Sequence, residues 1–441
     1  MSYRTATKLY LGGLFLLLAS NAISGALGAI GLRGLAFYHT QALLLFACAT
    51  HLAVLILRGR LRFSADPSLV KLVLVSIGYT ATSCILLLRF SDVSIGYVLL
   101  MLYTFLVYPV MTTLMLGCER MERQTESQRL EKIPRWLIAA STCVLLFGWL
   151  QYFARDTFFR VTNSENVSKL VETSTLGTFR PPSIFESSFQ FGLFSVLVFC
   201  LSASAALFGE GRRRAWLLAL LALASVLLSQ TRNVYLAAAC SIFSLLLLRR
   251  ARRKGKSFGL IRNLPWAYVA IAVGVMLWAV VQFLASDLQK TEDLADVSSA
   301  WARVSGWQTA WQSLVTPGSL FDVLFGYGIT QAGHASDYSF LYPTRGNGLF
   351  IDSTFFNLFL FQGAIGLLLY LAIYWTVWTR LLFRVRGSWN PLAVGLACFV
   401  SAFLATGVLN IVNGQWWGVT LALSFLVLAK PTEPRQLACA A

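Results

Sequence analysis

AWLLALLALASVLLSQTRNVYLAAACSIFSLLLLRRARRKGK, residues 215–256, decides how the rest of the chain is read. It holds two uncharged apolar runs, 215–230 and 233–248, joined through the polar turn Leu228-Ser229-Gln230-Thr231-Arg232-Asn233 and closed by the basic run Arg249-Arg250-Ala251-Arg252-Arg253-Lys254-Gly255-Lys256. Uninterrupted apolar runs of this kind match neither the amphipathic period of a soluble helix nor the alternation of a half-buried strand. They suit a helical hairpin in hydrocarbon, where a helix satisfies every backbone polar group within itself. Each run is shorter than the roughly 20 residues of a full span, so Arg232 is expected at or below the bilayer surface. An intramembrane guanidinium needs an anionic partner or a route to snorkel to the interface, and both readings stay open at this residue.

Working outward, comparable apolar runs recur near 8–31, 35–57, 69–89, 94–117, 136–154, 186–208, 265–285, 353–378, 390–411 and 415–429. With the hairpin they predict an all-α, polytopic membrane protein of about 12 transmembrane helices, organised as a single integral membrane domain over 1–441. The composition agrees, with 57% hydrophobic and 12% charged residues. The first run lacks the layout of a cleavable signal and reads as an uncleaved anchor.

The net charge of +17 invites a nucleic-acid reading, but the placement of the charges argues for a membrane. Of the 36 basic residues, 26 fall in alternate short segments (the N-terminus, 58–71, 118–135, 209–214, 249–263, 380–386 and the C-terminus), whereas 12 of the 19 acidic residues fall on the other side. By the positive-inside rule the basic face and both termini are cytoplasmic. The run 249–256 is either a topology anchor or a contact for anionic lipid. No basic face interleaved with aromatics appears, so nucleic acid is not an expected partner; membrane lipids are.

Of the eight Cys, Cys48, Cys84, Cys143, Cys200, Cys240 and Cys398 lie inside apolar runs, and Cys118 and Cys439 lie on the basic side, so no disulfide is implied. His39, His51 and His334 are far apart, and no spacing suggests a metal site. No cofactor is expected.

Two external segments are too long and polar to be turns: a loop at 155–185 and a large loop at 286–352, between the ninth and tenth helices. The larger one carries Trp301, Trp307, Trp311, Tyr327, Tyr338 and Tyr342, suited to amphipathic interfacial helices, to stacking on sugar rings, or to an interfacial aromatic belt. Four constellations stand out. Arg180-Pro181-Pro182-Ser183-Ile184-Phe185-Glu186 puts a cation and a carboxylate beside a Pro-Pro break, as an ion pair closing a helix mouth or as a site. Arg232 lies in the hairpin turn. Arg303 and Trp307 share a helix face at i, i+4, followed by Gly326-Tyr327-Gly328 and by His334, a candidate proton acceptor or a structural loop histidine. Finally, Tyr342-Pro343-Thr344-Arg345 leads to Asp352, a helix-capping carboxylate or a catalytic one, and to Gln362-Gly363-Ala364-Ile365-Gly366. Arginines near one external surface, with few carboxylates to neutralise them, make an anion site, since guanidinium binds phosphate bidentately and keeps its charge.

The ordered series Arg180, Ser-Gln-Thr-Arg232-Asn, Arg303-x3-Trp307, Gly326-Tyr-Gly, His334, Ile351-Asp352-Ser and Gln-Gly363-x2-Gly366 resembles the O-antigen polymerase and O-antigen ligase superfamily of bacterial envelope glycosyltransferases. The resemblance covers roughly residues 175–370; the first 150 residues add only hydropathy. It implies a metal-independent enzyme of the C-type glycosyltransferase fold in the bacterial inner membrane, its active site facing the periplasm. The implied donor is an undecaprenyl-pyrophosphate-linked glycan, the acceptor a second glycan or lipid A-core, and a chain-length regulator a further partner.

On the resemblance, Arg180, Arg232 and Arg303 bind the pyrophosphate, with Arg345 a fourth candidate. His334 is the candidate base, Glu186 and Asp352 are alternatives, and Trp307 and Tyr342 are candidate sugar or lipid contacts. Ile351-Asp352-Ser353 is closer to polymerases, whereas the Gly-His334-Ala context keeps a ligase reading open. A lipid-linked oligosaccharide flippase or other transporter shares the size and charge pattern, but the chain has no internal repeat of the kind broken-helix transporters show.

Overall fold

The computed structural model describes residues 67–89, 135–154, 179–209 apart from Pro182 and Glu186, 212–254, 320–326 and 354–409, with isolated positions elsewhere. The described residues are helical, without strands. In chain order the helices are α1 (Pro67–Ile85, extended by a 3₁₀ turn Leu86–Arg89), α2 (Arg135–Phe153), α3 (Ser188–Phe208), α4 (Arg212–Leu228), α5 (Arg232–Lys254), α6 (Leu320–Phe325), α7 (Thr354–Ser388) and α8 (Pro391–Leu409). The runs expected near 8–31, 35–57, 94–117, 265–285 and 415–429 fall on positions that are undescribed or described only at scattered residues.

The centre of the bundle is α3. Its sequence SFQFGLFSVLVFCLSASAALF carries no charge and is buried on nearly every side, the signature of a helix enclosed by others rather than one with a single apolar stripe. It packs against α4, α5 and α8. Ser187 caps its start, its hydroxyl accepting from the Gln190 N–H at 3.3 Å. The buried hydroxyls of Ser195, Ser202 and Ser204 donate to carbonyls three or four residues back, at 2.8, 2.6 and 2.8 Å, so these three are satisfied within α3 itself.

Small residues set the spacing, as expected where lipid removes the hydrophobic drive between helices. A Cβ on Gly395 would stand 2.8 Å from Ser204 Oγ, and Ser244 of α5 meets Ser401 of α8 in a buried 2.8 Å hydroxyl–hydroxyl bond. Outside this core, Leu217, Leu220, Leu227, Leu246, Leu368 and Phe383 are exposed. In water that would be a large association surface; facing acyl chains it is ordinary.

Four helices are long and apolar enough to cross a bilayer among the described residues: Ser68–Ile85, Ser188–Phe208, Arg232–Arg253 and Leu358–Gly387. Two of these exceed the hydropathy reading. The second arm of the hairpin does not stop at 248 but continues to Lys254, and α7 runs to Ser388 rather than 378. Arg and Lys are good helix formers whose long stems can carry charge past the bilayer edge, so a hydropathy limit undercounts helix length at a basic end.

At one end of the bundle Phe208 stacks on Trp389, between α7 and α8, with ring centroids 5.9 Å apart. Arg252 lies over the same Phe208 ring at 5.3 Å and donates to the Phe208 carbonyl at 3.5 Å. The C-terminal ends of α3, α5 and α7 therefore meet there. Their N-terminal ends point to the opposite end.

Candidate functional site at the Arg180–Arg232 end

The hairpin turn is built as its sequence predicts. Gln230 takes a left-handed conformation at φ 48°, and Thr231 accepts from the N–H groups of Val234 and Tyr235 at 3.0 and 3.2 Å to start α5. The Tyr235 hydroxyl donates to the Leu227 carbonyl at 3.0 Å, tying the first turn of α5 to the last turn of α4. Arg232 is the first residue of α5 and is exposed. A cation at a helix N-terminus adds to the positive end of the helix dipole instead of offsetting it, so both favour an anion at this spot.

The segment leading into α3 comes to the same place. Arg180 is half-buried between buried Phe179 and Pro181, and its charge acts electrostatically on the Tyr235 hydroxyl. Tyr235 lies three residues from Arg232, on a neighbouring position of the helix surface. Near the start of α3, a Cβ on Gly192 would fall 2.6 Å from Val234 and 2.9 Å from Ser229 Oγ, so α3 can press onto the hairpin turn only because that residue is glycine. Arg180 Nε is buried without a hydrogen-bond partner, and among the described residues no ion pair neutralises either arginine. Leaving such a donor unpaired is costly.

Gln151, near the C-terminal end of α2, holds the Arg180 segment in position. Its side-chain amide donates to the Ser183 carbonyl at 3.0 Å and accepts from the Ser183 N–H at 2.7 Å, while the Ser183 hydroxyl donates to the Val144 carbonyl at 2.7 Å. Ser183 sits at φ 55°, a left-handed conformation that a serine holds only where its surroundings over-determine it. Phe185 completes the attachment by packing on Phe194 at 5.2 Å. Composition and spacing did not single out Gln151; the available signal was a lone amide in an otherwise apolar run.

A second feature lies along α7. Gly363 has φ 63° and ψ −170°, dividing α7 into an outer piece, Thr354–Gln362, and a long inner one. Gly326, which ends α6 at φ 71°, packs into this break. A Cβ on Gly326 would come within 2.5 Å of Gly363 N, and one on Gly363 within 2.2 Å of the Leu324 carbonyl oxygen. Two motifs far apart in sequence, Gly326-Tyr-Gly and Gln-Gly363-x2-Gly366, are thus one crossing of backbones. Outside the described residues lie Glu186, Arg303, Trp307, His334, Tyr342, Arg345 and Asp352. Of the predicted site residues, Arg180 and Arg232 are the two among the described ones, and the packing of Gly192 on Ser229 and Val234 puts their segments at one end of the bundle.

Helix length and lipid-type packing define a multi-pass α-helical membrane protein. Residues 217–371 match the family model described as O-antigen ligase, a span from the first arm of the hairpin into the inner piece of α7. The match supports the O-antigen polymerase and ligase superfamily, whose members are glycosyltransferase-type enzymes. No curated protein matches the chain.

Proposed function

We propose that the chain transfers a glycan from a polyprenyl-diphosphate carrier, undecaprenyl pyrophosphate, to an acceptor sugar at the periplasmic face of the inner membrane. The observation that carries this reading is that Arg180, in the segment leading into α3, and Arg232, at the start of α5, lie at the same end of the bundle, where Gly192 of α3 packs on Val234 and Ser229, opposite Arg252 and Trp389. The positive-inside rule makes the Arg252 end cytoplasmic, and the arginine mouth then faces the periplasm.

In the proposed reaction an acceptor hydroxyl attacks the anomeric carbon of the donor. The new glycosidic C–O bond forms as the bond to the diphosphate oxygen breaks with inversion, and that oxygen leaves with the electron pair. Arg180 and Arg232, with Arg303 and Arg345 as further candidates, stabilise the charge growing on the diphosphate, a task a divalent ion performs in other enzymes; none is required here. His334 takes the hydroxyl proton, with Glu186 and Asp352 as alternatives, and Trp307 and Tyr342 contact sugar or lipid. The remaining elements of the proposal are the C-type glycosyltransferase architecture of about 12 helices and the large periplasmic loop at 286–352.

Extension of a lipid-linked polymer is the first reading, because Ile351-Asp352-Ser353 is closer to polymerases. Ligation to lipid A-core is the second, favoured by the description of the matched family and by the Gly-His334-Ala context. The purified chain, given lipid-linked repeat units with and without lipid A-core and neither ATP nor an ion gradient, is expected to form longer lipid-linked glycan or glycosylated core. Arg180→Ala and Arg232→Ala are each expected to lower kcat by about 10²–10³-fold, the scale of removing one oxyanion donor. Absence of product with either acceptor contradicts the transferase reading and returns the transporter to the fore.

A further inference from the structure

The break in α7 is bridged by a side chain from another helix. Tyr79 of α1 donates its hydroxyl hydrogen to the Gln362 carbonyl, with the Leu324 carbonyl a second acceptor at 3.4 Å, and a Cβ on Gly366 would stand 3.1 Å from the Tyr79 ring. The Tyr79 ring also stacks on Phe325 of α6 at 6.4 Å. One phenol of α1 therefore reaches both chains that meet at the Gly326–Gly363 crossing, the end of α6 and the last carbonyl before the α7 break.

The break lies nine residues, about 13 Å of helix axis, after Thr354 and within the apolar span Leu358–Gly387, where a membrane helix that departs from regular geometry depends on its neighbours to hold it. The chain that leaves the crossing at Gly326 returns through Thr354–Gln362, and between them runs the segment 327–353 that carries His334, Arg345 and Asp352. Whatever fixes the crossing fixes where that segment leaves the bundle and where it comes back.

We infer that Tyr79 is a positioning residue, whose hydroxyl ties the α7 break and the end of α6 to α1 and thereby sets the outer half-helix and the end of α6 relative to the rest of the bundle. This deepens the transferase reading and rests on it for the roles of the residues between Gly326 and Thr354.

Tyr79→Phe isolates the hydroxyl, since the ring that packs on Phe325 is retained. The test uses the full chain in lipid nanodiscs. Backbone hydrogen exchange over residues 359–367 is expected to speed up by about tenfold or more, reporting local opening rather than global unfolding, with the thermal midpoint of the bundle unchanged. The transfer rate kcat is expected to fall by about tenfold while the donor KM stays within about twofold, since misplacement of reacting groups lowers turnover without removing binding contacts.

Unchanged exchange over 359–367 overturns the inference, whatever the activity. Faster exchange with wild-type kcat overturns it too, because the hydroxyl then braces the helix without placing anything the reaction uses. Loss of the wild-type transfer activity itself counts against the transferase reading, and the exchange comparison still decides whether the hydroxyl holds the break.

Discussion

The segment that carries Arg180 into α3 is anchored at Ser183, which is held in a conformation it would otherwise avoid. The two hydrogen bonds from Gln151 give the segment the rigidity of a short strand pair, and removing them leaves a buried N–H and a buried carbonyl unpaired. That costs about 2–4 kcal/mol locally. Gln151→Leu, which keeps the volume, is therefore expected to weaken binding of a lipid-borne diphosphate about tenfold, although residue 151 need not touch the ligand. Calorimetric titration in nanodiscs checks this, and an unchanged Kd removes Gln151 from the account. Arg180 and Arg232 were legible because an arginine in an apolar context stands out in any sequence. Gln151 and Tyr79 were not: an amide and a phenol in apolar helices become informative only when the backbone group each one serves is known.

At the scale of elements, the hairpin turn was readable from polarity, because Ser229, Gln230, Thr231 and Arg232 interrupt two apolar runs, whereas the caps at Ser187 and Asn390 emerge from the structure. Asn390 caps α8, accepting from the Leu392 and Ala393 N–H groups at 2.8 and 3.3 Å. The break in α7 was invisible in the same sense, since Gln362-Gly363-Ala364-Ile365-Gly366 reads as continuous hydropathy and a glycine is tolerated in a membrane helix without a kink. What decides it is the partner: Gly326 and Gly363 approach so closely that neither has room for a side chain. Gly326→Ala brings both a left-handed alanine, about 1 kcal/mol, and a clash with backbone that cannot swing aside. A loss of about 3 kcal/mol or more in unfolding free energy is expected by denaturant titration in mixed micelles, and a loss below 1 kcal/mol contradicts the crossing.

For the whole molecule, the distribution of charge and the packing of the described helices point to one polarity. The basic residues gather where α3, α5 and α7 end, and two guanidinium groups stand at the other end beside the helix starts. On the proposed function the arrangement separates two uses of arginine: topology signals on the basic face, ligand-directed charge at the mouth. Hydropathy and charge counting gave that polarity; they could not give which arginines converge, because convergence depends on how α3 docks on the α4–α5 turn through Gly192.

The most direct test of this account is the affinity of the intact chain in nanodiscs for undecaprenyl pyrophosphate carrying no sugar, measured for wild type, Arg180→Ala, Arg232→Ala and the double variant. A shared diphosphate site predicts that each single change weakens binding at least about tenfold and that the double change costs less than the two combined, since residues serving one ligand group couple. Wild-type affinity in both single variants, or two losses that simply add, would show that the arginines do not hold one anion together.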